Sequence, residues 1–291
     1  MRISELLKRD DITFSLEVFP PKTSDKYTQI AATAKEIAAL KPDFMSVTYG
    51  AGGGTGEFTA GIASEIQAEY GVPTLAHLTC VSSSRGHVLN MLETYREKGI
   101  ENILALRGDR PADGAISTDY KYAVELIRDI RANGDFCIGG ACYPEGHIEC
   151  AHKREDIDHL KEKVDAGLDF LTTQMFFNND IFYNFLYRVR ERGILVPIIP
   201  GIMPITSPRQ LSRSVAMSGT DVPQRFRAIV DYFGETPAAM RQAGIIYATE
   251  QIIDLLANGI RHIHVYTMNK PEVAASIMAN LSEILRGGHE A

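Results

Sequence analysis

The chain has 291 residues, of which 45% are hydrophobic and 23% are charged, and its formal net charge is −7 at pH 7. This composition is typical of a folded globular protein, and it excludes disordered, collagen-like and disulfide-stapled chains. An acidic balance without a run of Lys or Arg argues against nucleic acid or an anionic membrane as partner, so small-molecule chemistry is the favoured class.

Cysteine usage and apolar segments bear on the compartment. Cys80, Cys137, Cys142 and Cys150 form no C-x-x-C pair, and no signal-peptide pattern precedes Asp11. No window approaches the roughly 18 consecutive apolar residues that a membrane-spanning helix needs. We therefore expect a reduced, cytoplasmic protein with no membrane partner.

A repeated unit runs along the chain: an amphipathic helix, a glycine at its end, and a short apolar segment. Gly71 and Gly99 are two such glycines. Glycine after a helix adopts the left-handed conformation without strain, and short, continuously apolar segments are typical of strands buried on both faces. In chain order the predicted strands are 13–19, 44–48, 74–79, 102–106, 136–142, 170–174, 196–202 and 262–267.

Eight strands at a spacing of about 30 residues predict an α/β fold, a (β/α)8 TIM barrel that forms one domain over residues 1–291. A helix is predicted at 25–40, and the long interval before the last strand holds three extra helices at 208–217, 223–233 and 237–257. A doubly wound open sheet is the alternative. The barrel is favoured over it because the first strand ends in Phe19-Pro20-Pro21 rather than in a glycine fingerprint.

Polar residues gather where the predicted strands end, and in a parallel barrel those ends lie on the one face where active sites form. Any one of them alone is as readily a satisfied polar group of the rim, whereas a set drawn from all eight strands indicates a site. The strand-end segments that carry these polar residues consist of Glu17, Thr48, Tyr49, Gly50, His77, Arg107, Gly108, Asp109, Tyr143, Pro144, Glu145, Gln174, Pro200, Gly201, Tyr266, Thr267, Met268 and Asn269.

Glu17 lies inside an apolar strand, between Leu16 and Val18. Strand alternation places Ser15, Glu17 and Phe19 on one face, which we expect to be the barrel interior. A carboxyl desolvated there is expected to have a raised pKa and to act as a general acid. The alternative is a Glu paired with a neighbouring basic group.

Three further strand ends carry candidate groups. Arg107 and Asp109 flank Gly108, so they either reach one ligand or form a local ion pair. His77 is equally consistent with a core histidine and with a ligand contact. The Gln174 amide, if buried, needs partners that a bound heterocycle supplies.

Two other motifs match no known site pattern. The tract 50–56 contains five glycines but fails both the dinucleotide fingerprint and the P-loop, so it predicts only a loop that allows close approach. His147, Glu149, Cys150 and His152 crowd one loop at a spacing that matches no zinc site. No metal is expected.

Nine segments of the chain resemble the bacterial methylenetetrahydrofolate reductases. Each motif alone is weak, but nine in the same order over nearly the whole chain are highly specific. The segments are SLEVFPPK (15–22), SVTYG (46–50), HLTC (77–80), LRGD (106–109), YPEGH (143–147), KVDAG (163–167), TQ (173–174), PGIMP (200–204) and YTMN (266–269).

The resemblance implies a (β/α)8 barrel that holds FAD non-covalently and reduces 5,10-methylenetetrahydrofolate to 5-methyltetrahydrofolate. NADH or NADPH is the implied electron donor, and hydride passes through flavin N5 in a ping-pong sequence. Glu17 is then the acid that protonates the leaving folate nitrogen. Asp109 is a carboxylate beside flavin and pterin that stabilises the resulting cation.

The resemblance also implies two sets of binding residues, with Arg107 and Lys163 supplying positive charge for the pyrophosphate. FAD contacts fall on Thr48, Tyr49, Ala51, His77, Arg107, Gly108, Asp109, Tyr122, Ala123, Tyr143, His147, Asp156, His159 and Lys163. Folate or nicotinamide contacts fall on Glu17, Asp109, Gln174, Gln210, Tyr266 and Lys270.

Four positions differ from the enterobacterial pattern. His159 and Glu162 replace an Asn and an Arg, Lys270 replaces an Arg, and Ser214 stands where a stacking Phe is found. Ser214 leaves two electron sources open: the nicotinamide, or a partner protein that would make this chain a flavin- and folate-binding subunit.

A flavin-free barrel aldolase is the rival from another enzyme class. That chemistry often uses a Lys at a strand end for a Schiff base, and no predicted strand contains one. The expected partners of the reductase are folate, a nicotinamide nucleotide and a second copy of the chain. If a partner protein supplies the electrons, an electron-transfer protein is expected as well. Nucleic acid is not expected.

Overall fold

The structure, a computed structural model, describes residues 1–50, 55–109, 118–150 and 152–287. Within these ranges nine strand segments form one parallel sheet. They are β1 (Thr13–Val18), β2 (Phe44–Val47), β3 (Thr74–Thr79), β4 (Asn102–Leu106), β5 (Cys137–Cys142), β6 (Phe170–Thr173), β7 (Ile198–Ile199), β8 (Gly201–Ile202) and β9 (His262–Tyr266).

The sheet closes on itself. Its order is β7-β6-β5-β4-β3-β2-β1-β9-β8, and Pro200 alone separates the two end segments along the chain. Because β7 pairs with β6 and β8 pairs with β9, residues 198–202 join both edges. The (β/α)8 TIM barrel is confirmed, and the open sheet is not found.

One predicted strand is wrong in its extent. The segment predicted at 196–202 is interrupted at Pro200, which has no N–H to give to a ladder. The Pro200 carbonyl accepts from the His264 N–H at 3.0 Å, and the Gly201 N–H donates to the Thr173 hydroxyl at 2.9 Å. The chain thus changes partner strand within three residues.

Helices alternate with the strands and cover the barrel. They are α1 (Ile3–Leu6), α2 (Tyr27–Ala38), α3 (Gly56–Tyr70), α4 (Arg85–Glu97), α5 (Ala123–Asn133), α6 (Lys153–Asp165), α7 (Asn179–Glu191), α8 (Pro208–Ser218), α9 (Gln224–Phe233), α10 (Pro237–Ala257), α11 (Pro271–Asn280) and α12 (Ser282–Gly287), with a 3-10 turn at Ser24–Lys26. The three helices predicted before the last strand are confirmed as α8, α9 and α10. No helix in the described ranges is both long and apolar enough to cross a membrane.

Helix α1 closes the barrel at the amino-terminal ends of the strands. Its Ile3 and Leu6 are buried, and with Leu7 they pack in one apolar cluster that also contains Phe44, Leu75, Leu104, Cys137, Phe170 and Ile199. The buried Asn102 fixes this plug, because its Oδ1 accepts from the Ile3 N–H at 2.8 Å and its Nδ2 donates to the Thr74 carbonyl at 3.1 Å. The opposite end, where the strands finish, is left for the site.

We expect Ile3→Val to lower the free energy of unfolding by about 1 kcal/mol, because it removes a methylene from this fully buried position. Urea unfolding at neutral pH measures the change. The same substitution at Ile253, which is 41% exposed on α10, is the matched control and should change the free energy by less than about 0.5 kcal/mol. Equal effects at both positions would show that α1 does not close the barrel.

Candidate active site

The residues predicted for the site lie at the carboxyl ends of the strands or on the segments that follow them. Glu17 and His77 are within β1 and β3, and Tyr266 ends β9. The others follow strands or lie on the helices that come next, with His159 and Lys163 in the middle and last turn of α6: Thr48, Tyr49, Arg107, Gly108, Asp109, Tyr122, Ala123, Tyr143, His147, Asp156, His159, Lys163, Gln174, Gln210 and Lys270. Ala51 lies outside the described residues.

Glu17 is buried in the barrel interior, as its alternation with Ser15 predicts, and both residues are at most 5% exposed. The Ser46 hydroxyl donates to Oε2 of Glu17 at 3.0 Å. The Nε2 atoms of His77 and His264 each lie 3.5 Å from the same oxygen. One carboxylate oxygen therefore faces a hydroxyl and two imidazoles from three other strands.

His264 belongs to this cluster, and the sequence analysis missed it. Its Nδ1 lies 2.8 Å from the hydroxyl of Ser15, which itself donates to the Ile263 carbonyl at 3.0 Å. Because that hydroxyl has one proton and gives it to Ile263, it accepts from Nδ1 of His264. The other ring nitrogen, Nε2, faces Glu17. The available signal was the two-residue spacing from Tyr266, which places both side chains on one face of β9.

The raised pKa expected for Glu17 is wrong. Burial acts to raise the pKa, but hydrogen bonding to His264, the charges of His77 and His264, and the Ser46 hydroxyl outweigh it and lower the pKa below its ordinary value. Burial lowers the pKa of His77 to about 4, against the pull of Glu17, so His77 is neutral at pH 7. The hydrogen bonds from His264 and Ser46 then account for the lowering, and the free site holds an ionised Glu17.

His77 also presents an unsatisfied atom. Its Nε2 is buried and makes no hydrogen bond to any part of the chain that the structure describes. A buried polar nitrogen without a partner is costly, and such groups in native proteins usually await a ligand or a water. The atom therefore marks a place where a bound molecule can offer a partner.

A cluster of charged and aromatic side chains forms where β4 and β5 end against α6. Both guanidinium nitrogens of Arg107 bind Glu149, at 2.7 and 2.8 Å. The Lys163 ammonium is buried and donates to the Ala141 carbonyl at 2.8 Å. Burial lowers the pKa of Lys163, opposed by Cys142 and Asp156.

Tyr143 and His147 belong to the same cluster, with ring centroids 4.6 Å apart in an edge-on contact. Burial raises the pKa of Tyr143 to about 12 and lowers the pKa of His147, and the nearby Arg107 adds to the second shift. Burial also raises the pKa of Asp156, opposed by Lys163 and His147. Five predicted cofactor residues thus share one electrostatic environment.

Other predicted cofactor residues stand further out. Asp109 is exposed, the Tyr122 side chain is 52% exposed, and His159 faces solvent beside Glu162 at 3.7 Å. Gly108 makes the turn between Arg107 and Asp109 with φ of 87°, a conformation that favours glycine. The local ion pair of Arg107 with Asp109, one of the two alternatives left open by the sequence, is not formed, and Arg107 pairs with Glu149 instead.

Thr48 and Tyr49 follow β2, the strand that pairs with β1 next to Glu17. The Thr48 N–H donates to the Val18 carbonyl at 3.0 Å, which extends the β1–β2 ladder. The Tyr49 hydroxyl lies 3.0 Å from Nε2 of His87, and burial raises the pKa of Tyr49 to about 12.

Three of the predicted folate residues, Gln210, Tyr266 and Lys270, form a second group after β8 and at the end of β9. Lys270 Nζ donates to the Thr206 hydroxyl at 2.6 Å, and that hydroxyl donates to Oε1 of Gln210 at 3.0 Å. The Tyr266 hydroxyl donates to the Thr173 carbonyl at 2.6 Å. This contact passes directly over Gly201, where an added Cβ would lie 2.5 Å from the Tyr266 oxygen.

Gln174 stands apart from these contacts, because its Oε1 accepts from the N–H of its own neighbour Met175 at 3.0 Å. Its Nε2 remains on a half-buried side chain at the end of β6. The site therefore combines a buried acid–imidazole centre, the cluster of charged and aromatic side chains at β4–β5–α6, and an amide and ammonium group at β8–β9. This arrangement suits proton transfer to a bound heterocycle beside an anionic cofactor.

Comparison with known proteins gives a consistent result. A family model described as methylenetetrahydrofolate reductase matches residues 2–282. Methylenetetrahydrofolate reductase 1 of Schizosaccharomyces pombe is 39% identical over 97% of this chain and 48% of its own length. The 5,10-methylenetetrahydrofolate reductase of Pectobacterium carotovorum is 34% identical over 96% of this chain and 92% of its own length.

The chain spans about half the length of the yeast and plant relatives it matches, and nearly all of the bacterial ones. Among solved structures, an uncharacterized protein from Clostridium thermocellum has a TM-score of 0.66 at 15% identity, covering 98% of this chain and all of that one. It is described as binding two copies of 5-methyl-5,6,7,8-tetrahydrofolic acid. A 2,3-dimethylmalate lyase has a TM-score of 0.53 at 14% identity, covering 98% and 86% of the two chains. At these identities the structures show the barrel fold alone.

Proposed function

The chain belongs to the methylenetetrahydrofolate reductase family, and from this premise we propose that it reduces 5,10-methylenetetrahydrofolate to 5-methyltetrahydrofolate, with FAD as cofactor and NADH or NADPH as electron donor in alternating half-reactions. The observation that carries the proposal is the buried Glu17 with His264 and Ser46 on one of its oxygens. Such a centre is what protonation of a leaving nitrogen requires.

The residues present fit FAD. The cationic pair Arg107 and Lys163 would hold the pyrophosphate, and the unsatisfied Nε2 of His77 would gain a partner in a bound ring. When bound, FAD supplies reversible two-electron hydride chemistry, alternately towards the nicotinamide and the folate. Tyr143 and His147 would form one wall of the site. The remaining FAD contacts that we propose are Thr48, Tyr49, Ala51, Gly108, Asp109, Tyr122, Ala123, Asp156 and His159.

Glu17 delivers the proton that opens the methylene bridge. Because its pKa is lowered in the free protein, the carboxyl takes up a proton before it acts as an acid. The entering pterin excludes water from Oε2, which favours the neutral acid. We place the donor of this proton at Nε2 of His264, which lies 3.5 Å from Oε2 of Glu17, while Nδ1 stays bonded to the Ser15 hydroxyl.

The remaining proposed residues bind and orient the substrate. Protonation of the leaving nitrogen produces a cation on the folate, and a carboxylate at Asp109 would stabilise it. Gln174 and Gln210 offer amides to the heterocycle, and Lys270 offers a cation to the folate carboxylates. Tyr266 is fixed by its bond to Thr173 and would contact the ring from the β9 side.

Purified protein should show a flavin spectrum or take up FAD, should be bleached by NADH or NADPH without oxygen, and should recover colour with 5,10-methylenetetrahydrofolate. Lys163→Met should weaken FAD binding about tenfold or more, because it removes a buried charge for the pyrophosphate. Lys161→Met is the matched control on α6, since Lys161 pairs with Asp165 and is not part of the cluster.

A colourless protein that does not take up FAD overturns the proposal. A flavoprotein that dithionite reduces and neither nicotinamide reduces would instead favour electron delivery by a partner protein. Equal FAD affinity in the Lys163 and Lys161 variants would move the pyrophosphate away from α6.

A further inference from the structure

The turn after β9 has an unusual backbone. Met268 and Asn269 are consecutive residues with φ of 55° and 53°, the left-handed region that a residue with a Cβ rarely occupies. Asn tolerates this conformation better than most residues, whereas Met does not. Such strain persists only where surrounding contacts hold it, and it is concentrated at functional sites.

Three side-chain hydrogen bonds join this turn to the end of β1, at Glu17 and Phe19. The β1–β9 ladder ends with Glu17 opposite Tyr266. Beyond that pair the Thr267 hydroxyl donates to the Glu17 carbonyl at 2.6 Å. The Asn269 amide then binds Phe19 at two points, with Nδ2 donating to its carbonyl at 3.0 Å and Oδ1 accepting from its N–H at 2.8 Å.

The Asn269 side chain thus offers Phe19 the donor and the acceptor that a further strand residue would offer. We call the side-chain bonds from Thr267 to Glu17 and from Asn269 to Phe19 the clamp. Its two parts are linked, because the Asn269 N–H donates to the Thr267 hydroxyl at 3.2 Å. Together they fix the backbone at Glu17 and two residues beyond it. The direction in which the Glu17 side chain leaves the strand depends on that backbone.

We propose that Asn269, together with Thr267, is a positioning residue for Glu17: the strained turn holds the end of β1 so that the carboxyl stays in register with His77 and His264. The Glu17 oxygen is 3.5 Å from both imidazoles, at the limit of direct contact, so a small shift of the strand end separates them. The inference rests on the proposed function, in which Glu17 is the acid.

The same turn also reaches the other end of the proposed substrate. Lys270 follows Asn269 directly, and its ammonium binds Thr206, which binds Gln210. One four-residue turn therefore sets both the acid and the groups that we propose for the folate chain. Loss of the clamp is expected to slow folate chemistry and to leave flavin reduction by the nicotinamide unchanged.

The test compares Asn269→Gly with Met268→Gly. Both variants place glycine in a left-handed position and relieve strain, but only Asn269→Gly removes the clamp. Asn269→Gly should slow reoxidation of the reduced flavin by 5,10-methylenetetrahydrofolate about tenfold to a hundredfold, the range expected for a displacement near 1 Å. Flavin reduction by NADH or NADPH should stay within about twofold of the wild-type rate, and Met268→Gly should match the wild type in both.

A readout without cofactor accompanies the kinetics. Ring-nitrogen NMR signals of His77 and His264 in FAD-free protein should shift in Asn269→Gly and stay in place in Met268→Gly. If Asn269→Gly does not fold, Thr267→Val removes the hydroxyl that binds the Glu17 carbonyl and the Asn269 N–H, and Thr267→Ser, which keeps this hydroxyl, should retain the folate rate.

The outcomes separate the two proposals. Equal slowing of both half-reactions, or no slowing relative to Met268→Gly, overturns the positioning role while the proposed function stands. Failure of the wild-type protein to bind FAD or to reduce the folate overturns the proposed function itself.

Discussion

Replacing Glu17 with Gln is expected to slow folate reduction by about a thousandfold, within the range for loss of a positioned general acid, while flavin reduction by the nicotinamide stays near normal. The amide has the shape of the carboxyl and still accepts from Ser46, but it has no proton of suitable acidity to give to the folate nitrogen. Hydride transfer from nicotinamide needs no such proton.

Stopped-flow absorbance measures the two half-reactions separately, first bleaching with NADH or NADPH and then recovery with 5,10-methylenetetrahydrofolate. Glu5→Gln is the matched control, because Glu5 is exposed on α1 at the opposite end of the barrel. It should leave both rates unchanged. Equal loss of both half-reactions in Glu17→Gln would assign Glu17 to flavin binding or to structure.

Local sequence patterns predicted most of this fold because the barrel is a repeat of local units. Six of the eight predicted strands are short apolar segments after a helix and a glycine, so their places follow from neighbouring residues alone. The break at Pro200 was also signalled locally, since proline cannot donate to a ladder. The alternation of Ser15 and Glu17 was enough to place the acid inside.

Contacts across the closing seam could not be predicted in the same way. Asn269 and Phe19 are 250 positions apart, and nothing in either segment specifies the two bonds that join them. The predicted rise in the pKa of Glu17 is wrong for the same reason. The direction of the shift depends on His264, which comes beside Glu17 only when the barrel closes. Arg107 likewise pairs with Glu149 from the next loop rather than with its neighbour Asp109.

The second large effect concerns stability and pH. Burial lowers the pKa of His77 from 6.5 to about 4, Glu17 opposes this shift, and His264 adds to it. Between those two values the unfolded chain binds a proton that the folded chain does not, so the folded state loses stability as the pH falls. The full shift corresponds to about 3 kcal/mol, of which about 2 kcal/mol is lost between pH 7 and pH 5.

Other titratable groups also contribute to the pH dependence of the free energy of unfolding. Glu17 has a lowered pKa, so its contribution is present above its ordinary value of 4.5 and is lost only below it. Burial lowers the pKa of His147 and His262, so they add slope of the same sign as His77. These contributions stay in place when His77 alone is changed, so the difference between variants isolates His77.

The free energy of unfolding of His77→Gln is therefore expected to fall by about 2 kcal/mol less than that of the wild type between pH 7 and pH 5, because the glutamine side chain does not titrate. Urea unfolding at both pH values measures this, with FAD held at the same saturating concentration because ligand binding shifts apparent stability. His152→Gln is the matched control, since His152 is exposed, and it should keep the wild-type slope. If His77→Gln keeps that slope as well, His77 is not held neutral by burial, and its Nε2 has a partner that supports the charged ring.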